Sequence, residues 1–66
     1  MYKPNWNTAP AWANYLVSWR NMGYWHEKEP KQEQDRLCWT ATGRYSVAGY
    51  YACNDWRNSL DKRPSV

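Results

Sequence analysis

The side chains able to act as nucleophiles, bases or soft metal ligands are few: one histidine, His26, and two cysteines, Cys38 and Cys53. A cysteine nucleophile needs a base beside it, and a structural zinc ion needs four ligands. We therefore expect neither a metal nor another cofactor. The cysteines are interpreted as small reduced thiols and His26 as a sheet-face histidine stacked on aromatic rings. A disulfide, a Cys–His dyad and a metal shared across a dimer are the alternatives.

The acidic residues are concentrated in one polar segment that runs from Glu27 to Asp35 and contains a proline. Paired carboxylates can act as general acid and base, but such a segment is typical of a solvated surface loop. The three glycines, Gly23, Gly43 and Gly49, are isolated and form no phosphate-binding loop. A chain of 66 residues also has little volume for a substrate pocket. We expect no enzymatic activity and no catalytic residue.

Aromatic side chains dominate the remaining composition, with six tryptophans, six tyrosines and no phenylalanine. The mean hydropathy is nevertheless −1.10 and aliphatic residues are scarce, so about half of these rings must form the core. Tyrosine, tryptophan and arginine are also the residues most enriched at binding hot spots. The core is predicted to contain Trp12, Leu16, Trp39, Val47 and Trp56, and the more exposed rings to be Trp25, Tyr50 and Tyr51.

Charge and hydropathy limit the partners. The net charge is +3, and the basic residues are scattered along the chain, which indicates solubility more than phosphate binding. Met1 is followed by polar residues and Pro4, unlike a signal peptide, and no run approaches the ~18 apolar residues of a membrane span. We expect a cytoplasmic protein with no membrane partner.

The elements that must position these residues are predicted to form one small domain, 1–66. Its fold class is mostly β with short α: a small antiparallel sheet or meander of three to four strands, with short helical turns near 9–13 and 54–60. Residues 1–8 are expected to be an extended lead-in and 61–66 a frayed tail. Thr8 before Ala9-Pro10 is typical of a helix start, and Asn54 is a good cap for the second turn.

Residues 14–28 are predicted to form a hairpin, because aromatic and β-branched residues alternate on both sides of a turn near Gly23. A two-residue loop at Asn21-Met22 would place Trp19 opposite Tyr24 and Val17 opposite His26. A three-residue loop with Gly23 in the left-handed conformation is favoured over it. The alternative is a helix, because Trp12, Tyr15, Leu16 and Trp19 also follow a helical spacing.

The second half of the chain is predicted to contain two further strands. Residues 29–36 are expected to be a surface loop, 37–41 a strand and 42–44 a turn. Residues 45–48 alternate as a fourth strand, which a bulge at Gly49 would extend through 50–53. Either 15–19 or 45–52 would be an exposed edge able to pair with a second copy.

Three short motifs carry a resemblance: APAWA at 9–13, GYWHEKEP at 23–30, and DWRNSL at 55–60 followed by Arg63-Pro64. Together they resemble a group of small uncharacterised bacteriophage proteins. The chain departs from that group at 20–22, where its members tend to have Asp-Gly turns. The resemblance implies a phage origin and a small antiparallel sheet, and it brings no catalytic residue with it.

We therefore expect a binding protein that docks on a host protein through an aromatic face, for host takeover or as a counter-defence inhibitor. One alternative is a single-stranded nucleic-acid-binding module with stacked rings and basic side chains. Another is a self-assembling structural accessory protein, and a homodimer is compatible with each. The predicted partner-binding residues are Trp19, Arg20, Tyr24, Trp25, Arg44, Tyr45, Tyr50 and Tyr51.

Overall fold

The computed structural model describes residues 4–32, 39–52 and 59–64. These residues form six short strands and two 3₁₀ helices, so the mostly-β prediction is confirmed. The strands are β1 (Tyr15–Trp19), β2 (Met22–His26), β3 (Lys31–Gln32), β4 (Trp39–Thr40), β5 (Tyr45–Val47) and β6 (Ser59–Lys62), and the 3₁₀ helices are Trp6–Thr8 and Tyr50–Ala52.

Four of the strands form one antiparallel sheet in the order β5–β2–β1–β6, and β3 pairs with β4 in a separate two-stranded sheet. β1 is therefore an interior strand, and the expectation that 15–19 forms an open edge is wrong. β5, within the other predicted edge, does lie at the end of the sheet.

The β1–β2 hairpin confirms the predicted hairpin over its helical alternative but corrects its turn. The loop consists of Arg20 and Asn21, with φ of 50° and 67°, as in a type I′ turn. Trp19 therefore lies opposite Met22, and Val17 opposite Tyr24. Both predicted pairings were wrong by two residues. Gly23 is a buried residue inside β2 and not the turn residue.

The segment before β1 is more ordered than an extended lead-in. Asn5 caps the first 3₁₀ helix by accepting the Asn7 N–H at 3.3 Å, so the extended prediction fails over Trp6–Thr8. A helical turn was predicted at 9–13. The structure has a single hydrogen-bonded turn there, in which the Ala13 N–H donates to the Pro10 carbonyl at 3.0 Å.

The second half of the chain agrees with its predicted strands only in part. β4 and β5 fall inside the predicted strands, but β3 lies in the segment predicted to be a loop. The predicted extension is wrong over 50–52, because Gly49 turns the chain at φ 95° into the second 3₁₀ helix, and residue 53 lies outside the described residues. Of the helical turn predicted at 54–60, residues 54–58 lie outside the described residues, whereas Ser59 and Leu60 belong to β6. Asp61 and Lys62 are paired with β1 and are not frayed.

The core lies on one side of the four-stranded sheet, here named the back face and defined by Leu16, Ser18, Gly23 and Trp25. These residues are cross-strand partners, so their side-chain positions share a face. Leu16 and Trp25 form a buried cluster with Ala13 and Ala52, against which Trp6, Ala9, Trp12 and Ala48 pack. The rings of Trp6 and Trp25 lie 5.2 Å apart at 44°.

The back face is covered by the chain before β1, here called the cover together with the second 3₁₀ helix. Arg63, at the end of β6, binds the part of this cover that precedes β1. Its N–H donates to the Asn14 carbonyl at 2.8 Å, and its guanidinium donates to the carbonyls of Pro10 (3.2 Å) and Ala13. The guanidinium also lies 5.7 Å from the Trp6 ring centre. One side chain therefore joins the segment before β1 to the segment after β6.

The predicted core is partly correct. Leu16 is fully buried as expected, but Trp25, predicted to be exposed, is only 3% exposed, and Val47, predicted to be core, is 63% exposed. Trp12 and Trp39 are half-buried, and Tyr50 is exposed as predicted. Trp56, Cys38, Cys53 and the side chain of Tyr51 lie outside the described part of the chain.

Candidate binding groove

The opposite side of the sheet, here named the front face, carries Val17 and Trp19 from β1, Tyr24 and His26 from β2, and Tyr45 from β5. Val17 is paired with Tyr24, and His26 with Tyr45, so the strand alternation places all of these side chains together. Val47 of β5, opposite Tyr24, belongs to the same face.

An arm formed by residues 27–32 and 39–44, between β2 and β5, lies over part of the front face. Its base is closed by the Glu27 N–H, which donates to the Arg44 carbonyl at 2.8 Å. The Thr42 hydroxyl donates to the Glu29 carbonyl at 2.9 Å and ties the two sides of the arm together. A groove of about 350 Å³ lies between the front face and Trp39, Thr40 and Ala41 of this arm.

The groove has a buried floor and partly open aromatic walls. Val17 and His26, which form the floor, are 1% and 4% exposed. Trp19, Tyr24 and Trp39 are half-buried walls, and Tyr45 is 58% exposed at the open side. None of the lining residues carries a fixed charge. Such a site favours an apolar or aromatic group whose polar atoms are few.

His26 is the one ionisable imidazole of the chain and the most polar group in the floor. Its ring stacks on Tyr45 at 5.8 Å and 17°, which confirms the expected sheet-face histidine. Burial lowers its pKa below the ordinary 6.5, because the charged imidazole would lose its hydration. Its Nδ1 atom is buried without a hydrogen-bond partner among the described residues. The floor is therefore neutral near pH 7.

The structure brings three of the predicted site residues, Trp19, Tyr24 and Tyr45, into one groove. Arg20 lies at its rim, where the guanidinium is 5.0 Å from the Trp19 ring centre. Two predicted residues are elsewhere: Trp25 is in the core, and Arg44 lies 5.3 Å from Trp12, which packs against that core.

Two further predicted residues, Tyr50 and Tyr51, lie in the second 3₁₀ helix. Tyr50 is 60% exposed but does not line the groove, and the side chain of Tyr51 lies outside the described part. Sequence reasoning did not include Val17 or His26 in the site. The alternation of Tyr15, Val17 and Trp19 was the signal that could have placed Val17 there.

The described residues contain no cluster of three or more His, Cys, Asp or Glu side chains able to hold a metal ion. Across the same residues, no helix is long and apolar enough to cross a membrane.

No family model, curated protein or solved structure matches this chain.

Proposed function

We propose that this protein is a small phage-encoded, non-enzymatic binding protein that docks on a host protein in the cytoplasm through the groove and the aromatic side chains around it. The observation that carries the proposal is the exposure at the open side of the groove. Tyr45 and Val47 are 58% and 63% exposed, next to a floor that is almost fully buried. Large exposed aromatic and apolar side chains beside a concave site are typical of binding hot spots.

The composition of the groove supports a protein partner. Two tryptophans and two tyrosines surround it, and these residues supply large rigid contact areas at a small entropic cost. The partner would insert an apolar or aromatic side chain, because the lining carries no fixed charge and its floor, Val17 and His26, is almost fully buried. A charged or strongly polar group would lose its hydration there without a partner, so the groove would select against such groups.

The charge at the rim supports an acidic surface around the inserted side chain. Arg20 is exposed beside Trp19, and the whole chain carries a net charge of +3. Rim charges mainly raise the association rate and weaken with salt. The phage origin is supported by the resemblance of the APAWA, GYWHEKEP and DWRNSL motifs, and host takeover or counter-defence inhibition is the role that such an origin favours.

The test is affinity capture of the tagged protein from bacterial lysate, with and without nuclease. Tyr45 and Tyr50 form a matched pair, because both are tyrosines of nearly equal exposure but only Tyr45 lines the groove. We expect one host protein to be captured by the wild type and by Tyr50→Ala, and to be lost with Tyr45→Ala. Equal capture by the two variants would contradict the groove as the docking site. Capture that disappears with nuclease would instead support the nucleic-acid-binding alternative.

A further inference from the structure

The open edge of the four-stranded sheet at β5 has a regular arrangement of backbone groups. The Glu27 N–H donates to the Arg44 carbonyl, and the Ala48 N–H donates to the Gly23 carbonyl. Antiparallel ladders alternate, so Ser46, midway between Arg44 and Ala48, also turns its N–H and C=O toward β2. The N–H and C=O groups of Tyr45 and Val47 therefore point away from the sheet, where no other described strand lies.

The three residues of β5 include no charged side chain and no proline. Native edges are commonly blunted by charged residues or proline, and the other edge strand, β6, contains Asp61 and Lys62. β5 contains Tyr45, Ser46 and Val47, with two of these side chains among the most exposed large apolar groups described. An uncharged edge with outward hydrogen-bonding groups can add a strand.

From this arrangement we infer that β5 pairs with β5 of a second copy, in antiparallel orientation about a two-fold axis at Ser46. In that register Tyr45 of one copy lies opposite Val47 of the other, and all four outward groups of each β5 are satisfied. The two pairs form four backbone hydrogen bonds and join two four-stranded sheets into one continuous sheet.

The side chains are compatible with the same register. Tyr45 would pack on Val47 of the second copy at both ends of the pair, and aromatic–β-branched pairs stabilise antiparallel strands. Arg44 would lie opposite Ala48, so the cations of the two copies would not face each other. If the two-fold axis lay at Tyr45 or at Val47 instead, some of the outward N–H and C=O groups of these two residues would have no partner in the other β5. The occupant inferred at this edge is a second copy of the chain, which would contact Tyr45 and Val47, the side chains whose exposure supports the proposed docking.

The first measurement is sedimentation of the full chain over a range of concentrations. We expect the mass to rise from the monomer value of 8.0 kDa to twice that value as concentration increases. The inference would be overturned if the mass stayed at 8.0 kDa at protein concentrations up to about 1 mM, because the dissociation constant of the dimer would then lie above that value.

The variant Val47→Pro tests the register, because it removes an outward N–H that the intrachain ladder does not use. We expect its dimer dissociation constant to rise at least about tenfold, since two of the four hydrogen bonds are lost. The control Val47→Thr keeps the N–H and the β-branch, and should stay within about threefold of the wild type. An unchanged dissociation constant in Val47→Pro would contradict this pairing.

Amide hydrogen exchange of the wild type keeps the inference testable even if Val47→Pro does not fold. The Ser46 amide should be protected at every concentration because it faces β2. The Tyr45 and Val47 amides should become protected only at concentrations where the mass doubles. The inference would be overturned if the exchange rates of these two amides were the same at all protein concentrations.

Discussion

The two faces of the four-stranded sheet are both rich in aromatic rings, yet one is a core and the other a groove. The back face holds Trp25 against Trp6 and Trp12, and the front face holds Trp19 with Tyr24 and Tyr45. The back face is closely covered by the chain before β1 and by the second 3₁₀ helix. Among the described residues, the front face has only the arm over it, which leaves about 350 Å³ open. Aromatic content alone therefore does not distinguish a core from a binding surface.

Small residues account for the close cover of the back face. Ala13 and Ala52 are fully buried there, and Ala9 and Ala48 pack against them. Gly23 completes this arrangement, because a Cβ atom at this position would lie 3.1 Å from the Gly49 carbonyl oxygen. Among the described lining residues of the groove, the single alanine is Ala41. Alanine and glycine let the backbone approach the sheet, whereas large rings on both sides keep the arm at a distance.

The comparison is tested most strongly by truncating one tryptophan on each face. Trp25→Ala should lower the free energy of unfolding by about 3–5 kcal/mol, because it opens a cavity in the buried cluster. That is a large part of the about 3–10 kcal/mol expected for a domain of 66 residues. Trp19→Ala, on the half-buried front face, should cost only about 1 kcal/mol. Urea unfolding measures both, and equal losses would remove the distinction between the faces.

The cover of the back face is tested by Arg63→Ala. We expect a loss of about 1.5–3 kcal/mol, because the carbonyls of Pro10 and Ala13 lose a charged donor. Arg44→Ala is the matched control, since Arg44 is an exposed residue with a comparable contact to a tryptophan ring. It should cost about 0.5–1 kcal/mol. A loss from Arg44→Ala as large as that from Arg63→Ala would show that the ring contact, rather than the carbonyl contacts, holds the cover.

The floor of the groove is tested by pH. Burial lowers the pKa of His26 in the folded state, so the unfolded chain takes up the proton first as the pH falls. Stability should therefore be complete above the unfolded pKa of 6.5 and should decline below it, by no more than about 1.4 kcal/mol per pH unit. Thermal unfolding between about pH 7 and pH 5 should show this slope in the wild type but not in His26→Phe. The same slope in both proteins would assign it to another group.

The smallest expected effect concerns the β1–β2 turn. Arg20→Asn should raise the free energy of unfolding by about 0.5 kcal/mol, because asparagine tolerates the φ of 50° better than arginine does. The same change removes the cation at the groove rim, so host capture at low salt should weaken. Opposite signs for stability and capture are expected. A variant that loses both would indicate that Arg20 supports the fold itself.

The strand content could be predicted from the sequence, because alternation of aromatic and β-branched residues fixes the conformation of β1, β2 and β5. The turn could not, since Gly23 is the residue that ordinarily permits a positive φ, and the structure uses Arg20 and Asn21 instead. The two-stranded sheet was missed because β3 is Lys31–Gln32, two polar residues with no strand signal.

The composition of the candidate site was predicted only in part, for a reason of geometry. Tyr24 and Trp25 are neighbours in one strand, so their side chains must point to opposite faces, yet both were placed in one binding surface. Whether Tyr24 or Trp25 points into the core depends on which face of the sheet the rest of the chain covers. That cover depends on contacts between distant segments, such as the hydrogen bond from Asn5 to the Ala52 carbonyl, which no local pattern reports.

The pairing of β6 with β1 also has a kinetic side. The β1–β2 hairpin closes over two residues, and hairpins of this kind form in about 1–10 μs. β6 pairs with the other side of β1, with Lys62 opposite Tyr15, so the two strands are separated by most of the chain. Pairings between such distant segments slow folding to about milliseconds or longer. Formation of the hairpin is therefore fast compared with the pairing of β6. A hairpin alone is at best marginally stable, so it gains its stability only when β6 pairs and Arg63 binds the carbonyls of Pro10 and Ala13.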